Sequence, residues 1–513
     1  MCPDMWLRPF FKDPKPSALY IENPKNTRPF TKTCKYGRLL LLMDIKSRIL
    51  CGIVTISNAV YLIWLPWHVV GIGGWILFVA EFMITSLTFL FIINHWEQKH
   101  EALKQAEVTG SLDVFLPVVN EPLWMFERTL REATKIKYSN KNIYILDDGQ
   151  RLEVKAFAEK YNVHYLTRNG GKDGNKAGNL NFGMKHSSGE YILVLDADQY
   201  VTDHNIAQEG LHYFANDPKI AIVSTRQAFD VPENDFNHDA LFFQHMQPGK
   251  NDDNASISCG SGVFYRRTAM DIIGGFATWN IVEDLTSTYL LHSKGFISIY
   301  LNKPYTMGTA PVDLSTIYKQ RGVWSLDTMR LFFRKSPLFT PGLTLRQRFH
   351  YFEMGWCYVV SAVAIPALFL IPPVALLSDV NVIDDPLWYL ILRIPSLFGI
   401  IYMYYRLSDR SITVGQFWAS LCFLYLKSLI LSWLPFKTKY KVTNKLRLYG
   451  VGKRDLILIL PHLAFIIFGF YAVYWRMLHF DYQYTSFIGI NLMWITVMLY
   501  WFIPIIRKGI KLE

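Results

Sequence analysis

Apolar residues are concentrated in two regions of the chain, one before residue 95 and one after residue 350. A helix needs about 20 apolar residues to cross the hydrocarbon core of a bilayer. Six stretches meet that requirement, and we predict membrane spans at 49–69, 73–94, 354–377, 386–405, 456–475 and 485–506. A seventh apolar run, 412–434, is interrupted by Gln, Lys and Ser, so we predict an amphipathic helix that lies in the membrane interface.

The distribution of positive charge favours six spans over seven. Residues 1–48 hold ten Lys or Arg against four Asp or Glu, and 434–454 hold seven Lys or Arg and no acid. Because cytosolic flanks of membrane helices are enriched in Lys and Arg, six spans place both termini and the central region in the cytosol. This placement also accounts for the net charge of +11 without nucleic acid as a partner.

The composition is typical of a membrane protein. Hydrophobic residues make up 51% of the 513 residues and charged residues only 19%, less charge than a soluble protein of this size usually carries. The six cysteines have neither metal-binding nor disulfide-framework spacing, which is typical of a reduced compartment. No short apolar run precedes the basic N-terminal segment, so we expect no cleavable signal peptide.

The region between the two apolar parts has the pattern of a water-soluble α/β domain. Predicted strands lie at 112–119, 142–148, 163–168, 191–198 and 220–226. The segment 122–134 has helical spacing, and such alternation predicts a parallel sheet with helices on both faces. Ligands of such sheets bind at the carboxyl ends of the strands. We predict a basic segment 1–48, two spans in 49–95, an α/β domain at 105–335, and four spans with interface helices in 336–513.

Acidic residues follow two of the predicted strands. Asp196 and Asp198 come directly after five apolar residues, and Asp147 and Asp148 end the strand at 142–148. An Asp-x-Asp sequence at a strand end places two carboxylates on one side of the backbone, where they can bind Mg²⁺ or Mn²⁺ that bridges a diphosphate. The same sequence is also common in ordinary solvated turns.

Two further motifs have both a chemical and a structural interpretation. Glu283 and Asp284 precede a helical pattern, where one carboxylate could deprotonate a sugar hydroxyl. They could equally be first-turn acids that complement the helix dipole. Trp324, in the sequence Gln320-Arg-Gly-Val-Trp, could stack on a sugar ring or anchor the chain at the membrane interface.

The order of these motifs along the chain is more specific than any one of them. The sequences DVFLPVVNEP, YILDDG, NKAGNLN, LVLDAD, CGSG, VEDLTSTYLLHSKGF, QRGVW and YKVTNK follow one another between residues 105 and 455. In this order they resemble the catalytic subunit of cellulose synthases and, more distantly, hyaluronan and chitin synthases. The resemblance implies a cytosolic α/β nucleotide-sugar-binding domain of the GT-A type. That domain would be inserted in an α-helical transmembrane domain of about six spans with interfacial helices.

The resemblance also implies roles for individual residues on the donor side. Residues that would bind the donor are Asp147, Asp148, Lys176 and Asp196. Asp196 and Asp198 would hold Mn²⁺ or Mg²⁺, and Asp284 would be the general base.

On the acceptor side, the resemblance implies binding of the growing chain by Cys259, Gln320 and Trp324. It further implies a gating loop near 437–453, with Tyr440, Val442, Thr443 and Lys445 in the family's motif positions.

The chain departs from the family pattern at several positions near the predicted site. Val323 stands where the family has Arg before the tryptophan, so a diphosphate contact is missing or comes from elsewhere, with Arg321 and Arg226 as candidates. Ile257 and Ser258 replace aromatic residues before the CGSG sequence, which alters the expected acceptor floor.

From the resemblance we expect an inverting, metal-assisted hexosyltransferase that polymerises a β-linked polysaccharide and moves it across the bilayer. Its partners would be a nucleotide-sugar donor, the nascent polysaccharide and lipid. UDP-glucose is the default donor, with UDP-glucuronate, a UDP-N-acetylhexosamine and GDP-mannose as alternatives. A non-processive transferase acting on a lipid carrier is the other alternative. Ionisable residues inside predicted spans, Glu81 and Arg393, are candidates for the polymer path.

Overall fold

The computed structural model describes residues 45–96, 109–168, 173–231, 239, 241–311, 313–378, 380–407, 413–434, 453–479 and 485–510. The predicted gating-loop residues Tyr440, Val442, Thr443 and Lys445 lie outside the described residues, as does the basic segment up to residue 44.

Eight strands form one sheet in the order β3-β2-β1-β4-β7-β6-β8-β5. The strands are β1 (Leu112–Val118), β2 (Lys141–Asp147), β3 (His164–Leu166), β4 (Tyr191–Val194), β5 (Gln199–Val201), β6 (Ile220–Phe229), β7 (Val263–Arg266) and β8 (Ile297–Gly308). Strands β3, β2, β1 and β4 are parallel neighbours, as are β6 and β8. Strand β7 is antiparallel to both β4 and β6, and β5 is antiparallel to β8.

The prediction of a parallel sheet is therefore correct for strands β3, β2, β1 and β4, whereas the sheet as a whole is mixed. Two glycines with positive φ, Gly260 (+80°) and Gly262 (+68°), lead into β7, which then runs back between β4 and β6. The strand predicted at 191–198 is shorter in the structure, because the chain turns after Val194 and the next strand, β5, begins only at Gln199. Strand β7 has only four residues and escaped the sequence pattern.

Sixteen α-helices accompany the sheet in the described residues. Those within residues 109–334 are α3 (Leu123–Thr134), α4 (Leu152–Tyr161), α5 (Asn175–Lys185), α6 (Ile206–Asn216), α7 (Gln247–Asp252), α8 (Arg267–Ile272), α9 (Glu283–Ser293) and α10 (Leu314–Arg334). The others are α1 (Ile45–Trp64), α2 (Gly71–Trp96), α11 (Leu345–Ser378), α12 (Pro386–Leu407), α13 (Thr413–Ser420), α14 (Cys422–Trp433), α15 (Lys453–Leu478) and α16 (Thr485–Ile510). Separate apolar cores on the two faces of the sheet contain Phe126 and Leu130 on one side and Ala177 and Leu180 on the other. Helices thus cover both faces, as predicted.

Six of these helices are long and apolar enough to cross a membrane: Ile45–Trp67, Gly71–His95, Leu345–Ser378, Pro386–Leu407, Asp455–Leu478 and Phe487–Ile510. Their number and positions confirm the six predicted spans. The run predicted as one interfacial helix forms two short helices, α13 and α14. Helix α14 packs on α10, where the Ser325 hydroxyl donates a hydrogen bond to Ser428 Oγ at 2.8 Å. Its position in the interface stays a prediction.

Candidate active site

Two acidic segments meet at one edge of the sheet. Strands β1, β2 and β4 are parallel, so their carboxyl ends lie on the same side. Asp148 follows β2, and Asp196 and Asp198 follow β4; all three line one cavity. The local fold therefore brings together carboxylates that are about fifty residues apart in the chain.

Two contacts hold the Asp-x-Asp turn in place. The Asp196 backbone N–H donates to Ser261 Oγ at 2.9 Å, and the Thr129 hydroxyl of α3 donates to the Ala197 carbonyl at 3.0 Å. The Asp196 side chain is 32% exposed, whereas Asp198 is buried. Asp196 is thus the more accessible of the two carboxylates.

Lys176, near the start of α5, is the cation at the centre of this group. Its Nζ lies 2.6 Å from Asp196 Oδ1 and 3.0 Å from Glu283 Oε1, and it donates to the Gly260 carbonyl at 2.8 Å. Burial alone would lower the pKa of Lys176, but the carboxylates of Asp196, Glu283 and Asp284 outweigh it and hold the pKa well above its usual value. Lys176 is therefore a permanent positive charge beside the predicted donor site.

Asp284 lies in the first turn of α9 and faces the same cavity. The CGSG turn approaches it so closely that a Cβ at Gly260 would lie 2.8 Å from Asp284 Oδ2 and 3.2 Å from Lys176 Nζ. Gly260 also has φ +80°, so both the space and the backbone require glycine. Burial and the charge of Glu283 raise the pKa of Asp284 to about 7, although Lys176 opposes the shift. Asp284 therefore lies in the first turn of α9 and has a pKa suited to a base near neutral pH.

The donor atoms present fit a divalent cation that is bound mainly by its substrate. Among the described residues there is no group of three or more His, Cys, Asp or Glu side chains that could hold a metal ion. Mg²⁺ and Mn²⁺ sites of phosphate-handling enzymes often use one or two carboxylates and complete the shell with phosphate oxygens and water. Asp196 and Asp198 could supply such a pair.

Asp147 and Asp148, which were predicted to bind the donor together, have different surroundings. Asp147 is fully buried and does not line the cavity; it accepts hydrogen bonds from the N–H groups of Gly149 and Arg151, both at 2.8 Å. It therefore shapes the turn after β2. Asp148 lines the cavity and forms a two-point ion pair with Arg168, at 2.8 and 2.5 Å.

The predicted acceptor residues Cys259, Gln320 and Trp324 line the same cavity as Asp284. Burial raises the pKa of the Cys259 thiol well above its usual value, so this side chain is a neutral thiol rather than a nucleophilic thiolate. The Gln247 amide donates to its Sγ at 3.2 Å. These three residues thus share one cavity with the candidate base.

Two arginines were candidates to replace the family's Arg at position 323, and each contacts another side chain of the protein instead. The Arg321 guanidinium is buried, pairs with Asp239 at 2.9 Å, and lies 4.8 Å from the centre of the Trp324 ring. Arg321 thus supports the tryptophan. Arg226 donates to Asn302 Oδ1 at 3.5 Å and is not a lining residue of the cavity.

Two residues of the site escaped the sequence analysis. One is Arg168, the partner of Asp148. The other is Asp327, one helical turn after Trp324, whose Oδ2 accepts the N–H groups of Ile281 and Val282 at 2.5 and 2.8 Å. Asp327 is fully buried and therefore fixes the segment that leads into Asp284. The sequence gives no clear signal for this acid, because Ser325, Thr328 and Arg330 beside it in α10 are polar or charged and also buried.

The cavity has a volume of about 1500 Å³ and extends beyond the sheet edge into the helical part of the chain. Besides the acidic group, residues of five membrane-length helices line it, including Leu87, Phe369, Leu397, Leu458 and Trp501. A single cavity thus connects the candidate active site to α2, α11, α12, α15 and α16.

Comparison with known proteins gives consistent matches. Residues 113–274 match the family model Glycosyl transferase family 2, and residues 272–426 match the model Cellulose synthase. Cellulose synthase 1 catalytic subunit [UDP-forming] of Komagataeibacter xylinus is 28% identical over 474 residues, covering 86% of this chain and 62% of that subunit. Cellulose synthase catalytic subunit [UDP-forming] of Xanthomonas axonopodis pv. citri is 29% identical over 338 residues, covering 61% of this chain and 45% of that protein. The chain thus spans less than two thirds of these relatives.

A solved structure supports the fold. The mannosyltransferase PcManGT from Pyrobaculum calidifontis, solved in complex with GDP-Man and Mn²⁺, superposes with a TM-score of 0.52 at 15% identity. The match covers 76% of this chain and 100% of that one. The mixed sheet with its two-sided helices is accordingly of the GT-A type, and six apolar helices flank it. Through the two matched models and these relatives, the chain is similar to family-2 glycosyltransferases and, in particular, to cellulose synthase catalytic subunits.

Proposed function

We propose that this protein is a processive, inverting glycosyltransferase that builds a β-linked glucan from UDP-glucose and passes the product through its own membrane helices. One observation carries the proposal: the cavity that holds Asp196, Asp284 and Trp324 continues between membrane-length helices. A transferase that released a small product to the cytosol would not need this continuity. The relatives named as UDP-forming cellulose synthase subunits support UDP-glucose as the donor.

The proposed reaction uses the residues at the sheet edge. The acceptor hydroxyl oxygen forms a bond to the anomeric carbon, the bond from that carbon to the diphosphate breaks, and Asp284 accepts the hydroxyl proton. Lys176, held beside Asp196 and Glu283, offers positive charge to the departing diphosphate. Mn²⁺ or Mg²⁺ bound by Asp196 and Asp198 would supply further electrostatic stabilisation of that leaving group. The similar fold of PcManGT is that of a complex with Mn²⁺, which supports a divalent cation here.

On the acceptor side we propose that Trp324 is the stacking platform for the terminal sugar. Its ring lines the cavity and rests against the Arg321 guanidinium. Replacing Trp324 with Ala should leave donor hydrolysis measurable while polymer yield falls by at least about tenfold, since an aromatic stacking contact contributes about 1 kcal/mol or more at each added sugar. Release of UDP and polymer length should be measured together, with Trp324→Phe as the conservative control. Full-length polymer at the normal rate in Trp324→Ala would make the tryptophan a membrane anchor only.

The raised pKa of Asp284 predicts the pH dependence of kcat/KM. Because the base acts as a carboxylate and its pKa is raised to about 7, activity should fall as pH drops through neutrality. Glu283→Gln removes the repelling charge, so the pKa of Asp284 should fall and the acid limb should move to lower pH. Asp271→Asn, at an exposed position of α8, is the control. An acid limb that stays in place or moves to higher pH in Glu283→Gln would contradict this assignment.

We also propose that the sheet domain faces the cytosol. The loop between α11 and α12 would then lie outside. A cysteine introduced at Asp384 should react with a membrane-impermeant maleimide on intact cells, and one introduced at Asp271 should react only after permeabilisation. The unmodified protein reports the background from native cysteines. Reversed labelling would invert the proposed topology.

The proposed function is tested with purified protein in proteoliposomes. Radiolabelled UDP-glucose, UDP-glucuronate, UDP-N-acetylglucosamine and GDP-mannose are supplied separately, and products are digested with linkage-specific glycosidases. We expect a β-glucanase-sensitive polymer from UDP-glucose alone, with UDP released for each sugar added. A polymer made from another donor would contradict UDP-glucose as the proposed substrate. A labelled glycolipid in place of a polymer would support the non-processive alternative.

A further inference from the structure

Asp327 of α10 connects two parts of the candidate active site that are distant in the sequence. The N–H groups of Ile281 and Val282 donate to Asp327 Oδ2 at 2.5 and 2.8 Å. The Asn280 side-chain amide donates to the Asp327 carbonyl at 3.2 Å. Three consecutive residues are therefore bonded to one residue of α10, and Asp284 follows the last of them by two positions.

Asp327 also lies three residues after Trp324 in the continuous helix α10. Residues three apart in a helix lie on the same side, one turn from each other. Trp324 lines the cavity, whereas Asp327 is fully buried. Because one turn of helix is a rigid spacer, the contacts of Asp327 also set the position of Trp324 relative to Asp284.

The helix itself gives no reason for an acid at this position. Asp is a poor residue for a helix interior and is costly to bury. Its carboxylate here accepts two backbone N–H groups away from water, and Arg330 Nη1 lies 3.6 Å from Oδ1. Hydrogen bonds to an ionised group are about twice as strong as neutral ones. The contacts of Asp327 with residues 281 and 282 thus account for an acid that α10 does not otherwise favour.

We propose that Asp327 is a positioning residue that aligns the acceptor sugar on Trp324 with the base Asp284, and that this alignment directs the donor sugar to the growing chain rather than to water. The proposal rests on the proposed function and names what decides between its two products. In transfer and in hydrolysis alike, an oxygen bonds to the anomeric carbon, the bond to the diphosphate breaks, and Asp284 accepts the proton. Water needs no platform on a second helix, so polymer formation depends more strongly on the alignment.

The contact is tested by hydrogen exchange on the full-length protein in lipid nanodiscs, without any donor. Asp327→Leu replaces the carboxylate by an apolar group of similar length. Amide exchange in peptides that contain Ile281 and Val282 should become faster by about tenfold or more, because both N–H groups lose their acceptor. Exchange in Leu112–Val118 should stay the same. Unchanged exchange at 281 and 282 would overturn the proposal.

Polymer formed and UDP released from UDP-glucose are then measured together on the same nanodiscs. Misplacing reacting groups by about 1 Å can lower a rate about 10²-fold, so polymer yield in Asp327→Leu should fall by about that factor and UDP release by less than about tenfold. Affinity for UDP should not change. Asp327→Ala carries the same expectation and takes the place of Asp327→Leu if the larger side chain prevents folding.

The conservative variant is Asp327→Asn, which keeps an oxygen that can accept both N–H groups. It should retain most of the polymer yield. A normal ratio of polymer to UDP in Asp327→Leu, or an Asn variant as impaired as the Leu variant, would contradict the proposal.

Asp113→Asn is the matched control for a loss of stability. Asp113 is also fully buried, and its Oδ2 accepts from the Gly189 N–H at 2.6 Å and from Arg267 Nη2 at 2.7 Å, but it does not line the cavity. This variant should lower the unfolding temperature and leave the ratio of polymer to UDP unchanged. If Asp327→Leu shows the same behaviour, its role is structural only and the proposal fails.

A double variant with Trp324→Ala separates alignment from a general effect. Once the platform is removed, Asp327→Leu should lower the ratio of polymer to UDP little further, because the two residues act through one geometry. Losses that multiply independently would contradict alignment with Trp324. A protein that releases no UDP from UDP-glucose would contradict the proposed function, while the hydrogen-exchange result would still decide the contact. A protein that makes polymer and keeps its ratio in Asp327→Leu would contradict the positioning role alone.

Discussion

Asp284→Asn is expected to reduce sugar transfer by about 10²–10⁴-fold while the protein still binds its donor, because a positioned base contributes an effect of that size. The change keeps the side-chain volume and removes the proton acceptor. It also removes one of the three carboxylates that act on Lys176, so donor phosphates should bind at least as well. Transfer is measured as labelled polymer, and donor binding by calorimetry with UDP.

The control for this variant is Asp271→Asn, the same substitution at an exposed position of the same domain. Thermal unfolding of both variants separates a loss of the base from a loss of folding. If Asp284→Asn retains more than a tenth of the transfer rate, another group accepts the proton, and Glu283 would be the first candidate.

Asp196→Asn and Asp198→Asn are each expected to lower turnover by about 10²–10³-fold, the size of effect seen when one electrostatic contact to a developing charge is removed. Chelation of divalent cations should have the same effect on the unmodified protein, and added Mn²⁺ or Mg²⁺ should reverse it. Mn²⁺ binding in the presence of UDP, measured by electron paramagnetic resonance, should weaken in both variants. This readout does not depend on activity.

Asp203→Asn is the matched control for the metal variants, because Asp203 lies just after β5 and pairs with Lys303 at 2.9 Å, outside the cavity wall. It should retain normal turnover and normal Mn²⁺ binding. Full activity in the presence of a chelator would instead mean that Lys176, already 2.6 Å from Asp196, stabilises the diphosphate without a metal ion.

Local sequence information was sufficient for the membrane helices and for the strands that end in acids. A span is recognised by the length of its apolar run, and a strand of the parallel half by a short apolar run before a turn. Both are properties of neighbouring residues. The carboxyl ends of β2 and β4 therefore placed Asp148 and Asp196 correctly at one edge of the sheet. The functional roles of these residues stay predictions.

Contacts between distant parts of the chain decided the rest. The antiparallel position of β7 depends on its pairing with β4 and β6. Asp147 is buried and Asp148 faces the cavity because the turn after β2 hydrogen-bonds the Asp147 carboxylate. Similarly, Arg321 meets Asp239 across 82 residues of sequence, and Glu81 meets Arg393 across 312. Periodicity reports only which face of an element is apolar, so it carries no information about such partners. The positions of these ion-pair partners are determined only in the folded chain, because a buried charge is costly unless a group of opposite charge lies beside it.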